Sequence, residues 1–110
     1  MALNKKNRLK KKKDFEGVFK QGKAVKGNFL FVKYRKNGSG YPRIAFIVSS
    51  KVSRKAVVRN RIRRILSDIS RTRLKELGPV DIILIADKKI IEAPREKIEQ
   101  DLESIFRKLK

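Results

Sequence analysis

The spacing of apolar residues changes from segment to segment along these 110 residues, and that spacing alone divides the chain into elements. Phe15, Val18 and Phe19 recur at i, i+3 and i+4, which predicts a short amphipathic helix. Asp14 suits its N-cap or first turn, and Gly22 its C-terminal stop. The stretch 29–35 is rich in aromatic and β-branched residues and reads as a strand. Leu30, Val32 and Tyr34 take its core side, while Phe29, Phe31, Lys33 and Arg35 share the other face. Asn37-Gly38-Ser39-Gly40 carries a hairpin-type turn signal, and residues 43–49 read as a second strand antiparallel to the first. Val58, Ile62, Ile65, Leu66 and Ile69 form one helical stripe, with Ser53 as N-cap candidate and an end near Leu77, before Gly78-Pro79. Residues 80–86 are an almost unbroken apolar run, a strand buried on both faces. Pro94 suits a first helical position, and Ile98, Leu102, Ile105, Phe106 and Leu109 make the stripe of a last helix. With a further short strand near 23–25, the order is α-β-β-β-α-β-α. This describes an α+β sandwich, a mixed four-stranded sheet with about three helices, as one domain over residues 1–110.

Charge changes this picture from a generic small domain to a specific class. The formal net charge is +20, and it is unevenly placed. Residues 1–67 hold 21 Lys and Arg against Asp14 and Glu16, whereas residues 68–110 hold ten against nine. The first three-fifths should therefore form a nucleic-acid face, and residues 1–13, with seven cations and no acid, read as a flexible basic arm. Cysteine and histidine are absent, which excludes disulfides, thiolate or imidazole zinc sites, and Ser–His or Cys–His nucleophilic catalysis. No apolar run approaches the roughly 20 residues of a membrane span, and the basic N-terminus lacks the apolar core of a secretory signal. A cytoplasmic location is expected.

The densest cationic stretch is 51–64, with seven cations in fourteen residues and no carboxylate. Around the helix that begins within it, Arg59, Asn60, Arg61, Arg63 and Arg64 fan over the circumference left free by the apolar stripe. Guanidinium forks onto phosphate oxygens with two parallel N–H donors. Lys51, Arg54 and Lys55 flank the first turn, where free backbone N–H groups also favour phosphate. Such unneutralised density repels itself and is relieved by a polyanion. Phe15 and Phe19 allow two readings, core packing or a platform on which single-stranded bases stack.

Two motifs then carry a resemblance. Lys55-Ala56-Val57-Val58-Arg59-Asn60-Arg61-Ile62-Arg63-Arg64, together with Arg8-Leu9, Asp14-Phe15, Val18-Phe19 and Gly22, resembles the protein component of bacterial ribonuclease P over essentially the whole chain. The resemblance implies that a large RNA subunit and its Mg²⁺ ions cleave the 5′ leader from precursor tRNA. The protein binds the leader and stabilises the ribonucleoprotein, with no catalytic residue and no tightly bound cofactor of its own. It implies catalytic-RNA contacts at Lys51, Arg54, Lys55, Arg59, Asn60, Arg61, Arg63 and Arg64, and a leader cleft at Phe15, Phe19, Phe31, Lys33, Lys10 and Lys12. It also implies a left-handed β-α-β crossover, against the usual right-handed rule. Two positions depart from the family pattern. Tyr34 stands one residue beyond the usual cleft aromatic and points to the opposite face, and Asp87 follows Ala86 where a basic residue is usual. The expected partners are ribonuclease P RNA and precursor tRNA, with neither DNA nor membrane. Three alternatives share parts of the pattern: a ribosomal protein, a duplex-DNA reader using the arginine helix, and a stand-alone metal nuclease built on Asp81 and Asp87.

Overall fold

The computed structural model describes residues 3–109. Three helices, α1 (Lys12–Gln21), α2 (Ala56–Arg73) and α3 (Arg95–Lys108), combine with four strands, β1 (Lys23–Lys26), β2 (Leu30–Lys36), β3 (Arg43–Ile47) and β4 (Val80–Ala86). Short 3-10 turns occupy Lys5–Asn7, Leu74–Glu76 and Lys88–Glu92. The sheet runs β1-β2-β4-β3, so the mixed α+β sandwich expected from the sequence is the one observed. β2 is antiparallel to β1 and β4, and β3 is parallel to β4.

Strand β4 is central, which explains its apolar run: six of its seven residues are buried. Its position also corrects the local reading of residues 29–49. β2 and β3 do run in opposite directions, but they form no hairpin, because β4 lies between them. The Asn37-Gly38 loop instead crosses the end of β4, where Asn37 donates its backbone N–H to the Pro79 carbonyl at 2.9 Å and its side-chain amide to Asp81 at 2.7 Å.

One sheet face carries Leu30, Val32, Ile44, Ile82 and Leu84 into a core with Ile62, Leu66 and Ile69 of α2 and Ile98, Leu102, Ile105 and Phe106 of α3. Burying each such aliphatic side chain contributes about 1.5–3 kcal/mol, so this side anchors the fold. Phe29 precedes β2 and packs with this larger core rather than on the opposite face. The other face has a smaller cluster, Leu9, Val18, Ala45 and Ile83, covered by α1. Gly22 makes that crossing possible. A Cβ there would lie 2.2 Å from the Val18 carbonyl oxygen and 2.8 Å from that of Tyr34. The β1–β2 turn is held to α3 by Asp101, whose carboxylate accepts the backbone N–H groups of Asn28 and Phe29 at 2.8 and 3.0 Å.

The N-terminal arm is not free over its described part. Leu3, Asn7 and Leu9 are buried, Asn7 donates to the Pro42 carbonyl at 2.8 Å, and Leu9 N–H donates to the Ile44 carbonyl at 3.0 Å. The segment lies along the outer edge of β3.

Candidate nucleic-acid interface

Helix α2 begins later than its polar residues suggest. Its N-cap is Lys55 rather than Ser53, whose hydroxyl accepts the Lys55 N–H at 3.2 Å within the preceding loop. That loop is fixed from both sides. Val52 is buried in the larger core, and Arg59 turns back to donate to the carbonyls of Ser53 and Arg54, both at 2.9 Å. Arg59 thus ties the loop bearing Lys51, Arg54 and Lys55 to the first turns of α2. Arg63 does similar work one turn on, donating to the Asn60 side-chain oxygen at 2.7 Å and to the Val48 carbonyl at 3.2 Å. Arg54, Lys55, Asn60, Arg61 and Arg64 are exposed, as is Lys51. None of the seven cations of residues 51–64 has a carboxylate partner among the described residues.

Across the sheet, the register places Lys26, Phe31, Ile85 and Ile47 in one row and Ala24, Lys33, Ile83 and Ala45 in the next. Helix α1 covers the second row, with Val18 buried and Phe15 half-buried against it. Lys33 donates its ammonium to the Phe19 carbonyl at 3.2 Å, linking β2 to α1. The first row is left open. Phe31 is 39% exposed, Phe19 on α1 is 42% exposed, and Ile47 and Ile85 are half-buried. Sequence reasoning found Phe15, Phe19, Phe31 and Lys33 for this face but missed Lys26, Ile47 and Ile85. Their signal was strand alternation, usable only once the strand order is known.

Lys12 is exposed in the first turn of α1, and Lys10 lies elsewhere, on a groove beside β3. This groove, about 580 Å³, runs between the N-terminal segment, β3 and α2. Tyr34 packs toward the larger core, on the face opposite Phe31.

The acidic residues once available for a stand-alone nuclease are spoken for. Asp81 is buried and accepts from Asn37 at 2.7 Å and from Arg43 at 2.8 Å on each oxygen. The Asp81 hydrogen bonds hold the Arg43 guanidinium above its ordinary pKa, and Asp14 adds a second carboxylate at 3.3 Å. Asp87, at the opposite end of β4, caps the following 3-10 turn by accepting the Lys89 N–H at 3.0 Å. Among the described residues no three His, Cys, Asp or Glu side chains cluster to hold a metal, and no helix is long and apolar enough to cross a membrane.

The chain is similar to known proteins over nearly its whole length. A family model described as Ribonuclease P matches residues 3–110. The ribonuclease P protein component of Clostridioides difficile strain 630 is 34% identical over 110 residues, covering 98% of this chain and 96% of that one. Among solved structures, the RNase P protein of Staphylococcus aureus superposes with a TM-score of 0.86 at 28% identity, covering 94% of this chain and 95% of that one. The RNase P protein of Thermotoga maritima gives 0.85 at 28%, covering 94% and 97%.

Proposed function

Because this chain belongs to the ribonuclease P protein family, we propose that α2 and its preceding loop seat on the catalytic RNA, while the open face of the sheet holds the leader of precursor tRNA. The protein is a component of the ribonucleoprotein endoribonuclease that matures tRNA 5′ ends. The comparisons favour this over the ribosomal-protein alternative.

One observation carries the assignment of faces: the cations of residues 51–64 are presented without carboxylate partners, whereas the open sheet row is apolar with lysines at its margin. Lys51, Arg54, Lys55, Arg61 and Arg64 reach phosphates directly, and binding there releases counterions and weakens steeply with salt. Arg59 and Arg63 hold the surface in shape as well as adding charge, with Asn60 accepting from Arg63. Phe19 and Phe31 offer ring faces to unstacked bases, Phe15 supports them from beneath, and Lys33 and Lys26 meet the backbone. Stacking of this kind accepts any base, as a subunit serving many precursors requires. Lys12 extends the cationic margin at the start of α1, and Lys10 does so beside β3.

Mg²⁺ is assigned to the RNA, where it supplies metal-assisted phosphodiester hydrolysis. Asp81 and Asp101, the two buried acids among the described residues, do not fit such a site. Both oxygens of Asp81 are taken by Arg43, and those of Asp101 by backbone N–H groups.

The test is cleavage of a 5′-extended precursor tRNA at low Mg²⁺ with protein alone, a bacterial ribonuclease P RNA alone, and both. Activity mainly in the mixture is expected, and activity of the protein alone overturns the reading. Phe31→Ala should weaken binding of precursor relative to mature tRNA by about tenfold, given about 1–3 kcal/mol per stacked base. An unchanged ratio would remove Phe31 from the cleft.

A further inference from the structure

The groove beside β3 adjoins both surfaces, sharing Asn60, Arg63 and Arg64 with the α2 face and Phe15 and Lys10 with the leader side. Its floor is apolar, made by Leu3, Leu9, Ile44 and Phe46, and its rim is polar, with Arg8 and Lys10 on one bank and Asn60 and Arg64 on the other. At about 580 Å³ it is larger than any side chain could fill. The edge of β3 borders it. Ile44 uses its outward carbonyl to accept the Leu9 N–H. Phe46, two residues on, directs its backbone groups to the same side, beyond the point where the N-terminal segment leaves the strand. No hydrogen bond joins Phe46 to that segment among the described residues.

A slot with an apolar floor, an unpaired strand edge and a cationic rim matches one ligand chemistry well. A planar heterocycle packs on the floor and pairs its edge with backbone donors and acceptors, while its phosphate sits on the rim. Resting on the functional reading above, we propose that this groove receives a single unstacked nucleotide of the ribonuclease P RNA. The RNA subunit is the source because one bank is α2 itself, whose Arg64 continues the cationic surface that has no carboxylate partner, with Asn60 beside it. Phe19, Phe31 and Lys33 of the leader face do not line the groove. A flipped-out nucleotide fixes register between protein and RNA in a way that phosphate contacts alone do not.

The chain contains no tryptophan, so Phe46→Trp places a unique fluorophore on the groove floor. In the full protein, ribonuclease P RNA without any precursor should quench that emission, as a base packs against the indole. Phe19→Trp, on the sheet face, should respond only when precursor with its leader is added. Silence of Phe46→Trp toward the RNA overturns the inference, and so does a response that requires the leader. As a second arm, dimethyl sulfate probing of the RNA should show one nucleotide protected by the parent protein. Ser67→Leu, which fills the groove from α2, should restore that nucleotide's reactivity and weaken binding by about tenfold. Protection unchanged by Ser67→Leu overturns the inference. Precursor cleavage is measured on the same samples. Stimulated cleavage with a silent groove sinks this inference alone, whereas absent stimulation sinks the functional reading and the inference with it.

Discussion

The two halves of α2 make opposite use of arginine. From Ala56 to Arg64 the helix carries four arginines with no carboxylate partner among the described residues; they reach backbone carbonyls, the Asn60 amide or solvent. From Ile65 to Arg73 each arginine is matched. Arg71 meets Asp68 at 3.2 Å, and Arg73 meets Glu99 at 3.2 Å and Glu103 at 3.4 Å, joining α2 to α3. Asp68 also accepts from Arg95 of α3. Exposed ion pairs contribute only about 0–1 kcal/mol each, so pairing is a small gain in stability. Its larger effect is to cancel the field. Along one continuous helix, a binding surface arises where carboxylates are withheld and a docking surface where they are supplied.

The sharpest way to break this contrast is to put an acid where none stands. Arg61→Glu should weaken binding to ribonuclease P RNA by about 10–100-fold and lower the salt-dependence slope by about one or more, read by filter binding across a salt series. Arg61 is exposed, so the melting temperature should stay close to the parent's. A comparable loss of stability would mean that this half is scaffold too.

The converse change should separate the halves from the other side. Arg73→Ala removes two α3 contacts and a partly buried side chain, 21% exposed. A loss of about 1 kcal/mol is expected, or about 4–8 °C in melting temperature. RNA affinity should change by no more than about twofold. A tenfold loss would extend the RNA face along the whole helix.

The smallest effect concerns pH. Hydrogen bonds from Arg95 and then Arg71 lower the Asp68 carboxyl from its ordinary 3.8 to about 2. A carboxylate depressed on folding stabilises fully above its unfolded pKa and loses that contribution as pH falls through the folded one. The stability gap between the parent and Asp68→Asn should therefore be constant above about pH 5 and close toward pH 2, as urea melts would show. A gap that changes between pH 5 and 7 would assign the dependence to another group.

The sequence revealed elements better than their neighbours. The span of β4 was legible residue by residue because a strand buried on both faces has no polar interruption. The stripes of α2 and α3 were legible because burial follows helical period, from Ile62 to Ile69 and from Ile98 to Phe106. The strand order was not. Asn37-Gly38 looks locally like a hairpin turn, and only the long-range insertion of Val80–Ala86 overrides it. Ser53 was a plausible cap whose hydroxyl serves the loop instead. The cationic residues of the interface were visible as composition, but the groove beside β3 was not. It brings Leu3 and Arg8 to Asn60 and Ser67 across more than fifty positions, and no local pattern marks such a meeting.

The central place of β4 has a consequence for how the protein is made. A chain synthesised from its N-terminus contains β2, β3 and all of α2 before Val80 is added. Until then β3 has no strand beside it except the single bridge from Arg8, and β2 has only β1. The most cationic part of the polypeptide therefore leaves the ribosome ahead of the strand that fixes it in place, in surroundings crowded with RNA. Long-range pairing of this kind is slow to form because its loops must close first. The sheet beneath the RNA-binding face is therefore closed by a strand that follows that face in the chain, since β2 and β3 are joined only through β4.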